Sequence, residues 1–178
     1  MSHESASPPP APRIWIDADA CPGEVKAFIL RTAQRRQLPV CLVANRPLTV
    51  PLSALVSTIR VARDPDAVDT YIVQHVESYD LVITADIPLA AAVVDRQALA
   101  LSPRGELYTS ENVYERLATR NLLQHLRASG LVTGGPAPLS ATDQQHFAAA
   151  LDRAVTRLLK ARAAHTASQP ERGETAHD

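Results

Sequence analysis

Short apolar runs without polar alternation recur along this chain, and segments with helical spacing separate them. Strands that are apolar on both faces are typical of a parallel sheet covered by helices on both sides. Strands that alternate with helices also favour right-handed crossovers within one sheet. We therefore predict an α/β fold, a single three-layer domain with a mainly parallel sheet. The predicted strands are 14–17, 39–44, 58–61, 81–85 and 99–101.

Start signals accompany the predicted helices. Pro22 suits the beginning of the first helix, and Asp64 and Ser110 are candidate N-caps of the second and fourth. Ser140 with Asp143 three residues later indicates a capping box for the last helix. Asp86, followed by Pro88, begins the third. The predicted helices are 22–36, 64–77, 86–96, 110–129 and 140–162.

Length and composition favour one domain. A chain of 178 residues that is 46% hydrophobic can bury one sizeable core. Aromatic residues make up only 4%, so Ala, Val, Leu and Ile must fill that core. We predict a globular part at 13–162, a disordered N-terminal arm at 1–12 with four prolines, and a disordered tail at 163–178.

Charge and cysteine content narrow the class of protein. A net charge of -1 argues against coating nucleic acid by bulk charge, although a local basic lip remains possible. Arg supplies 16 of the 18 basic residues, which coding bias explains better than bidentate phosphate binding. Cys21 and Cys41 form no CxxC motif, which fits reduced thiols. With no signal peptide and no membrane span, we expect a soluble cytoplasmic protein with no membrane partner.

Acidic side chains follow the predicted strands. Asp17 and Asp19 end the first strand, and Asp86 follows the fourth. The ends of parallel strands share one sheet edge, where ligands bind in such folds. Asp66 and Asp69 are three residues apart and share a helix face. Carboxylates are ligands that Mg²⁺ or Mn²⁺ prefers, so this edge is a candidate metal site.

Each acid also has a structural explanation. Asp86 could cap its own helix, Asp66 could complement the helix dipole, and Asp19 could belong to a turn. Asp17 is hardest to explain this way, because it lies at the end of an apolar strand. The arrival of acids from three separate segments favours the metal site over caps alone.

Six short motifs stand in order along the globular part of the chain. They are IWIDADACP at 14–22, VAN at 43–45, DAVD at 66–69, LVITADIPLA at 81–90, SPRGELYT at 102–109 and TGGP at 133–136. Together they resemble the YaiI/YqxD-type family of uncharacterised bacterial proteins, whose sequences are similar to the PIN-like superfamily. The resemblance spans roughly residues 13–158. Active PIN-like proteins are mostly metal-dependent nucleases, so the resemblance implies a PIN-like fold and a nuclease activity.

The resemblance also implies roles for the acids. Asp17, Asp69 and Asp86 would be the main metal ligands, with Asp19 and Asp66 nearby. The family often carries a second acid directly after the position of Asp69, where this chain has Thr70. That difference puts the fourth ligand, and full activity, in question.

Phosphodiester hydrolysis is the chemistry that such a Mg²⁺ or Mn²⁺ site would support. Asp17, Asp19 and Asp86 are the candidate catalytic residues, and RNA or a nucleotide is the expected substrate. Candidate substrate contacts are Asn45, Arg46, Thr84, Arg104 and Arg120. Arg120 belongs to a stripe with Arg116 and Arg127, which a solvated helix face explains equally well.

Three alternatives remain open. In a haloacid-dehalogenase-type phosphatase, Asp17 would be the nucleophile and Asp19 the general acid, but a suitably positioned Lys is hard to find. A non-catalytic module that binds RNA or a nucleotide is favoured by Thr70. A redox role for Cys21 at a helix N-terminus is weaker than an idle buried thiol.

Overall fold

The protein is built on a six-stranded sheet. A computed structural model describes residues 11–168. Its strands are β1 (Ile14–Asp17), β2 (Val40–Ala44), β3 (Val56–Arg60), β4 (Leu81–Ile83), β5 (Leu99–Leu101) and β6 (Leu107–Tyr108). Their order across the sheet is β3–β2–β1–β4–β5–β6, and every pairing is parallel except β5 with β6. This confirms the predicted α/β class and the mainly parallel sheet.

Helices cover both faces of the sheet. They are α1 (Gly23–Arg36), α2 (Ala67–His75), α3 (Ile87–Val94), α4 (Val113–Ala128) and α5 (Ala141–Ala167). Successive strand residues point to opposite faces. Ile14 and Ile16 therefore pack in a core with α1 and α5, whereas Trp15 packs in a second core with α2 and α3. The result is the predicted three-layer arrangement.

Asp80 joins the beginnings of β1 and β4. Its Oδ2 accepts from Trp15 Nε1 at 2.8 Å and from the Glu77 N–H at 3.1 Å, and its Oδ1 accepts from the Arg13 N–H at 2.8 Å. Asp80 is only 4% exposed. Burial raises its pKa, although the three hydrogen bonds act in the opposite direction. This role could not be predicted from the sequence, because the Trp15 partner lies 65 residues away.

Two predicted N-caps are wrong. Asp66, not Asp64, precedes α2, because Asp66 has a left-handed backbone with φ of 62° that ends the preceding turn. Asn112, not Ser110, precedes α4. The Asn112 side chain accepts from the Thr109 N–H at 3.0 Å and donates to the Leu107 carbonyl at 2.9 Å. These bonds hold residues 109–112 in a non-helical turn.

Several other predicted boundaries can be compared with the structure. The capping box of Ser140 and Asp143 is confirmed, but α5 continues to Ala167, five residues past the predicted end. The antiparallel strand β6 was not predicted, and β3 begins two residues before its predicted start. Most of the predicted arm and tail, residues 1–10 and 169–178, lies outside the described residues. Between residues 11 and 168, no helix is both long and apolar enough to cross a bilayer.

Candidate functional site

The direction in which the chain builds the sheet reverses between β1 and β4. From β1 the chain adds β2 and then β3 on one side, whereas β4 and β5 lie on the other side. At such a switch point the carboxyl ends of the two strands leave a crevice, where ligands bind in open α/β sheets. Asp17 ends β1, and Asp86 follows the last residue of β4 by three positions. Both acids therefore lie at the predicted edge.

Asp17 is half-buried at the end of β1. Its Oδ1 accepts from the Ala20 N–H at 3.4 Å. Burial raises the pKa of Asp17, and the negative charges of Asp19 and Asp86 raise it further, against the effect of the backbone hydrogen bonds. The Asp17 carboxylate thus lies within electrostatic reach of acids from its own loop and from the loop after β4.

Asp69 lies in the first turn of α2 and is also half-buried. Burial raises its pKa to about 6, with further contributions from the charges of Asp86, Asp17 and Asp66. The charges of Asp17, at the end of β1, and of Asp86, after β4, therefore reach Asp69 in α2. Asp66 itself is exposed and makes no side-chain cap to α2.

Asp86 serves as the N-cap of α3. Its Oδ1 accepts from the Leu89 N–H at 2.9 Å, which confirms the capping interpretation. Within residues 11–168, its Oδ2 accepts no hydrogen bond, so a cation could use that oxygen without breaking the cap. Thr84 is buried, and its hydroxyl accepts from the Asp86 N–H at 2.9 Å. The structure therefore places Thr84 beneath the Asp86 loop as its support.

Asp19 ties the loop after β1 to the loop after β2. Its Oδ2 accepts from the Asn45 N–H at 2.7 Å. Its Oδ1 lies 3.2 Å from Arg46 Nε as an ion pair, although no hydrogen bond to this buried oxygen has good geometry within the described chain. The structure thus brings Asn45 and Arg46 to the acidic edge, with Arg46 partly neutralising Asp19.

The arginines at the other predicted contacts already have partners. Arg104 Nη1 donates to Asp143 at 2.8 Å, and its second nitrogen contacts the Ala137 carbonyl. Arg116 lies 2.5 Å from Glu106 as an ion pair. Arg120 donates to its neighbour Asn121 at 3.1 Å. Arg104 therefore links a turn to α5, and on α4 the charge of Arg116 is paired with that of Glu106.

The acids fit a hydrated cation better than a closed metal cage. Across the described part of the chain, no three His, Cys, Asp or Glu residues surround a common metal position. Mg²⁺ commonly keeps several waters and takes only one or two carboxylates directly. Asp17, Asp69 and Asp86 offer hard oxygen donors, and no Lys, Arg or His of residues 11–168 forms an ion pair with them. The donor chemistry suits Mg²⁺ or Mn²⁺ in that form.

A cavity of about 340 Å³ lies beside the acidic edge. The loops after β1 and β4, the turn between β5 and β6, and the linker before α5 form its walls. Apolar groups line most of it. The motifs at 102–109 and 133–136 both contribute residues to these walls, a proximity that was not predicted from the sequence. Residues that define the walls include Pro22, Ala85, Pro103, Pro136 and Leu139.

Cys21 does not have the environment of a reactive thiolate. Its side chain is buried, and that burial raises its pKa to about 12 despite the charge of Lys26. The helix N-terminus beside it does not outweigh desolvation. Cys41 is buried as well, and both cysteines are free, as predicted. The structure therefore gives no support to a redox role for Cys21.

Comparison with known proteins identifies the family. Residues 15–157 match the family model described as "Uncharacterized BCR, YaiI/YqxD family". A UPF0178 protein of Citrifermentans bemidjiense is 53% identical over 148 residues, which cover 83% of this chain and 96% of that protein. A UPF0178 protein of Shewanella sp. (strain MR-4) is 53% identical over 146 residues, covering 82% and 97%.

A third relative, a UPF0178 protein of Saccharophagus degradans, is 53% identical over 148 residues, which cover 83% of this chain and 98% of that protein. No solved structure gave a significant match. The family model spans nearly all of the described residues, including Asp17, Asp69 and Asp86. The chain therefore belongs to the YaiI/YqxD family of bacterial proteins.

Proposed function

We propose that this protein is a PIN-like, divalent-metal-dependent nuclease that hydrolyses phosphodiester bonds, with RNA as the substrate. The observation that carries the proposal is that Asp17 and Asp86 follow β1 and β4 at the switch point of the sheet, where the charges of both raise the pKa of Asp69 and the charge of Asp86 raises that of Asp17. Half-buried carboxylates that repel one another cost free energy unless a cation offsets the repulsion. Clusters of this kind persist at functional sites. Free cysteines fit action in the cytoplasm.

Two of the acids are suited to direct contact with Mg²⁺ or Mn²⁺. Asp17 and Asp86 flank the crevice between β1 and β4, where Asp17 accepts from the Ala20 N–H and Asp86 accepts from the Leu89 N–H. Asp69, with Asp66 beside it, is suited to hold coordinated water. When bound, the ion supplies positive charge that polarises a phosphoryl oxygen and increases the acidity of water.

Other residues orient the acids. Thr84 supports the Asp86 loop, and Asp19 holds the Asn45 backbone against the site. Arg46 projects from the same loop with a side chain that is 60% exposed. An exposed guanidinium at this edge can contact a phosphate of the substrate. Arg46 thus positions the substrate phosphate, while Thr84 and Asp19 orient the site. None of the three supplies the attacking water.

A second candidate is a module that binds RNA or a nucleotide without cleaving it. It is favoured by Thr70 and by the lack of a three-ligand cluster among residues 11–168. The phosphatase alternative has less support. It requires Asp19 as a proton donor, but Asp19 is engaged by the Asn45 N–H and by Arg46.

Calorimetric titration with Mn²⁺ and cleavage of labelled single-stranded RNA test the proposal together. We expect wild type to bind Mn²⁺ and cleave only in its presence, and Asp17→Asn and Asp86→Asn to lose both properties. Asp64→Asn is the matched control, because Asp64 is an exposed acid outside the cluster. Binding of RNA without cleavage in all proteins would support the binding module. Release of phosphate from a small phosphomonoester, with RNA left intact, would support the phosphatase.

A further inference from the structure

The cavity beside the acids has a rigid floor. In the turn between β5 and β6, the Ser102 hydroxyl accepts from the N–H groups of Arg104 and Glu106 at 3.3 and 3.1 Å. Gly105 has φ of +87°, and a Cβ there would lie 2.8 Å from the carbonyl carbon of His146. Only glycine lets the turn approach α5 this closely. The turn is thus fixed against the first part of α5.

Arg104 fixes a second wall of the cavity, which the linker before α5 forms. Its guanidinium bridges Asp143, at 2.8 Å, and the carbonyl of Ala137 in the linker before α5. The same Asp143 carboxylate accepts from the Ser140 N–H at 2.9 Å in the capping box. These bonds hold the linker across the cavity, so that Pro136 and Leu139 face into it. The cavity is therefore formed before any ligand binds.

The third wall is shared with the acidic site. Ala20 and Ala85 line the cavity. Ala20 directly follows Asp19, and Ala85 directly precedes Asp86. A ligand with a phosphate at the carboxylates would therefore place its neighbouring group at the mouth of the cavity. That group must be largely apolar, because Pro22, Pro103 and Leu139 supply the walls.

The polar groups at the cavity are already paired with one another. Glu106 forms its ion pair with Arg116 at 2.5 Å and accepts from the Tyr108 hydroxyl at 3.4 Å. Arg104 is held by Asp143. A flat heterocycle that entered the cavity would form few hydrogen bonds with these groups, so its binding would depend on shape and apolar contact.

We infer that this cavity binds the base of a nucleotide whose phosphate lies at the strand-end acids. The inference rests on the proposed function, because the phosphate at the acids selects a nucleotide over other apolar ligands. About 340 Å³ is at the lower end of small-molecule pockets, which suits one nucleoside. Because the polar groups are paired, purine and pyrimidine nucleotides should bind within about tenfold of each other.

Titration calorimetry with adenosine 5′-monophosphate and with ribose 5-phosphate, both in Mn²⁺, isolates the contribution of the base. We expect wild type to bind the nucleotide about tenfold or more tightly than the sugar phosphate, as base contacts commonly give. Leu139→Trp fills the cavity and should remove this difference. Leu131→Trp should keep it, because Leu131 is 74% exposed and is not among the residues that line the cavity.

Further variants separate the two claims. Ala85→Leu narrows the cavity from the wall that the loop after β4 forms. It replaces Leu139→Trp if circular dichroism shows that the Leu139→Trp protein is not folded. A nucleotide preference in wild type that both Ala85→Leu and Leu139→Trp retain, or no preference at all, overturns the inference. Nucleotide preference without RNA cleavage supports the cavity assignment and contradicts the nuclease. RNA cleavage that neither cavity variant slows supports the nuclease and contradicts the cavity assignment.

Discussion

Replacing Asp69 by Asn should stabilise the metal-free protein at neutral pH. The pKa of Asp69 is raised from 3.8 to about 6 by burial and by the charges of Asp86, Asp17 and Asp66. The folded state therefore holds a proton that the unfolded chain releases between those two values. The stabilisation that the proton on Asp69 contributes is fully present below pH 4 and is lost as the pH rises through 6.

The size of this effect follows from the pKa difference. The shift corresponds to at most ~3 kcal/mol of destabilisation above pH 7. Asp69 is only partly buried, so solvent screens much of this interaction. Its place in the first turn of α2 also gives its charge a favourable interaction with the helix dipole. We expect Asp69→Asn to gain about 1 kcal/mol over wild type at pH 7.5 and close to nothing at pH 4.

Urea denaturation in the presence of a chelator, at pH 4 and pH 7.5, measures the effect. Asp64→Asn is the control, because it removes a nearby exposed acid and should follow the wild-type pH dependence. If Asp69→Asn is no more stable relative to wild type at pH 7.5 than at pH 4, burial and the neighbouring acids do not disfavour the Asp69 charge as described. Saturating Mn²⁺ should reverse the order, since it stabilises wild type through the acid that the variant lacks.

Two further predictions concern the framework. Asp80→Ala removes the acceptor of three donors, of which Trp15 Nε1 is buried, and should cost about 3 kcal/mol of unfolding free energy in urea titrations; a loss below about 1 kcal/mol would contradict the role given to Asp80. Gly105→Ala should cost about 3 kcal/mol, against about 1 kcal/mol for Gly130→Ala. Gly130 has a similar positive φ but open space around it, so equal losses would show that the contact with α5 is unimportant.

Hydrophobic pattern and strand connection made the sheet and its acidic edge predictable. The apolar runs leading to Asp17 and Asp86 have no polar alternation, which indicated strands buried on both faces. In a parallel sheet, both strands must then end at the same edge. These inferences depend only on local pattern and chain direction. Asp69, in the first turn of α2, was instead indicated as a main ligand by the resemblance to the family.

Contacts between distant segments could not be predicted in this way. Arg104 has the sequence features of a phosphate contact in a loop, but its partner Asp143 is 39 residues away. Asp80 bonds Trp15 across 65 residues. The shifted N-caps at Asp66 and Asn112 depend on a left-handed residue and on side-chain bonds to preceding turns. Propensity does not reveal such choices, because the tertiary structure decides between competing turns.

The claim that acids from separate segments bind one divalent ion is tested most directly by NMR. Mn²⁺ broadens the amide signals of nearby residues, so substoichiometric Mn²⁺ added to the ¹⁵N-labelled protein maps its site. We predict selective broadening in three segments, 17–21, 66–70 and 85–89, and its loss when Asp17 and Asp86 are both replaced by Asn. Broadening confined to one segment, or the same pattern in the double variant, would contradict a shared ion at this edge.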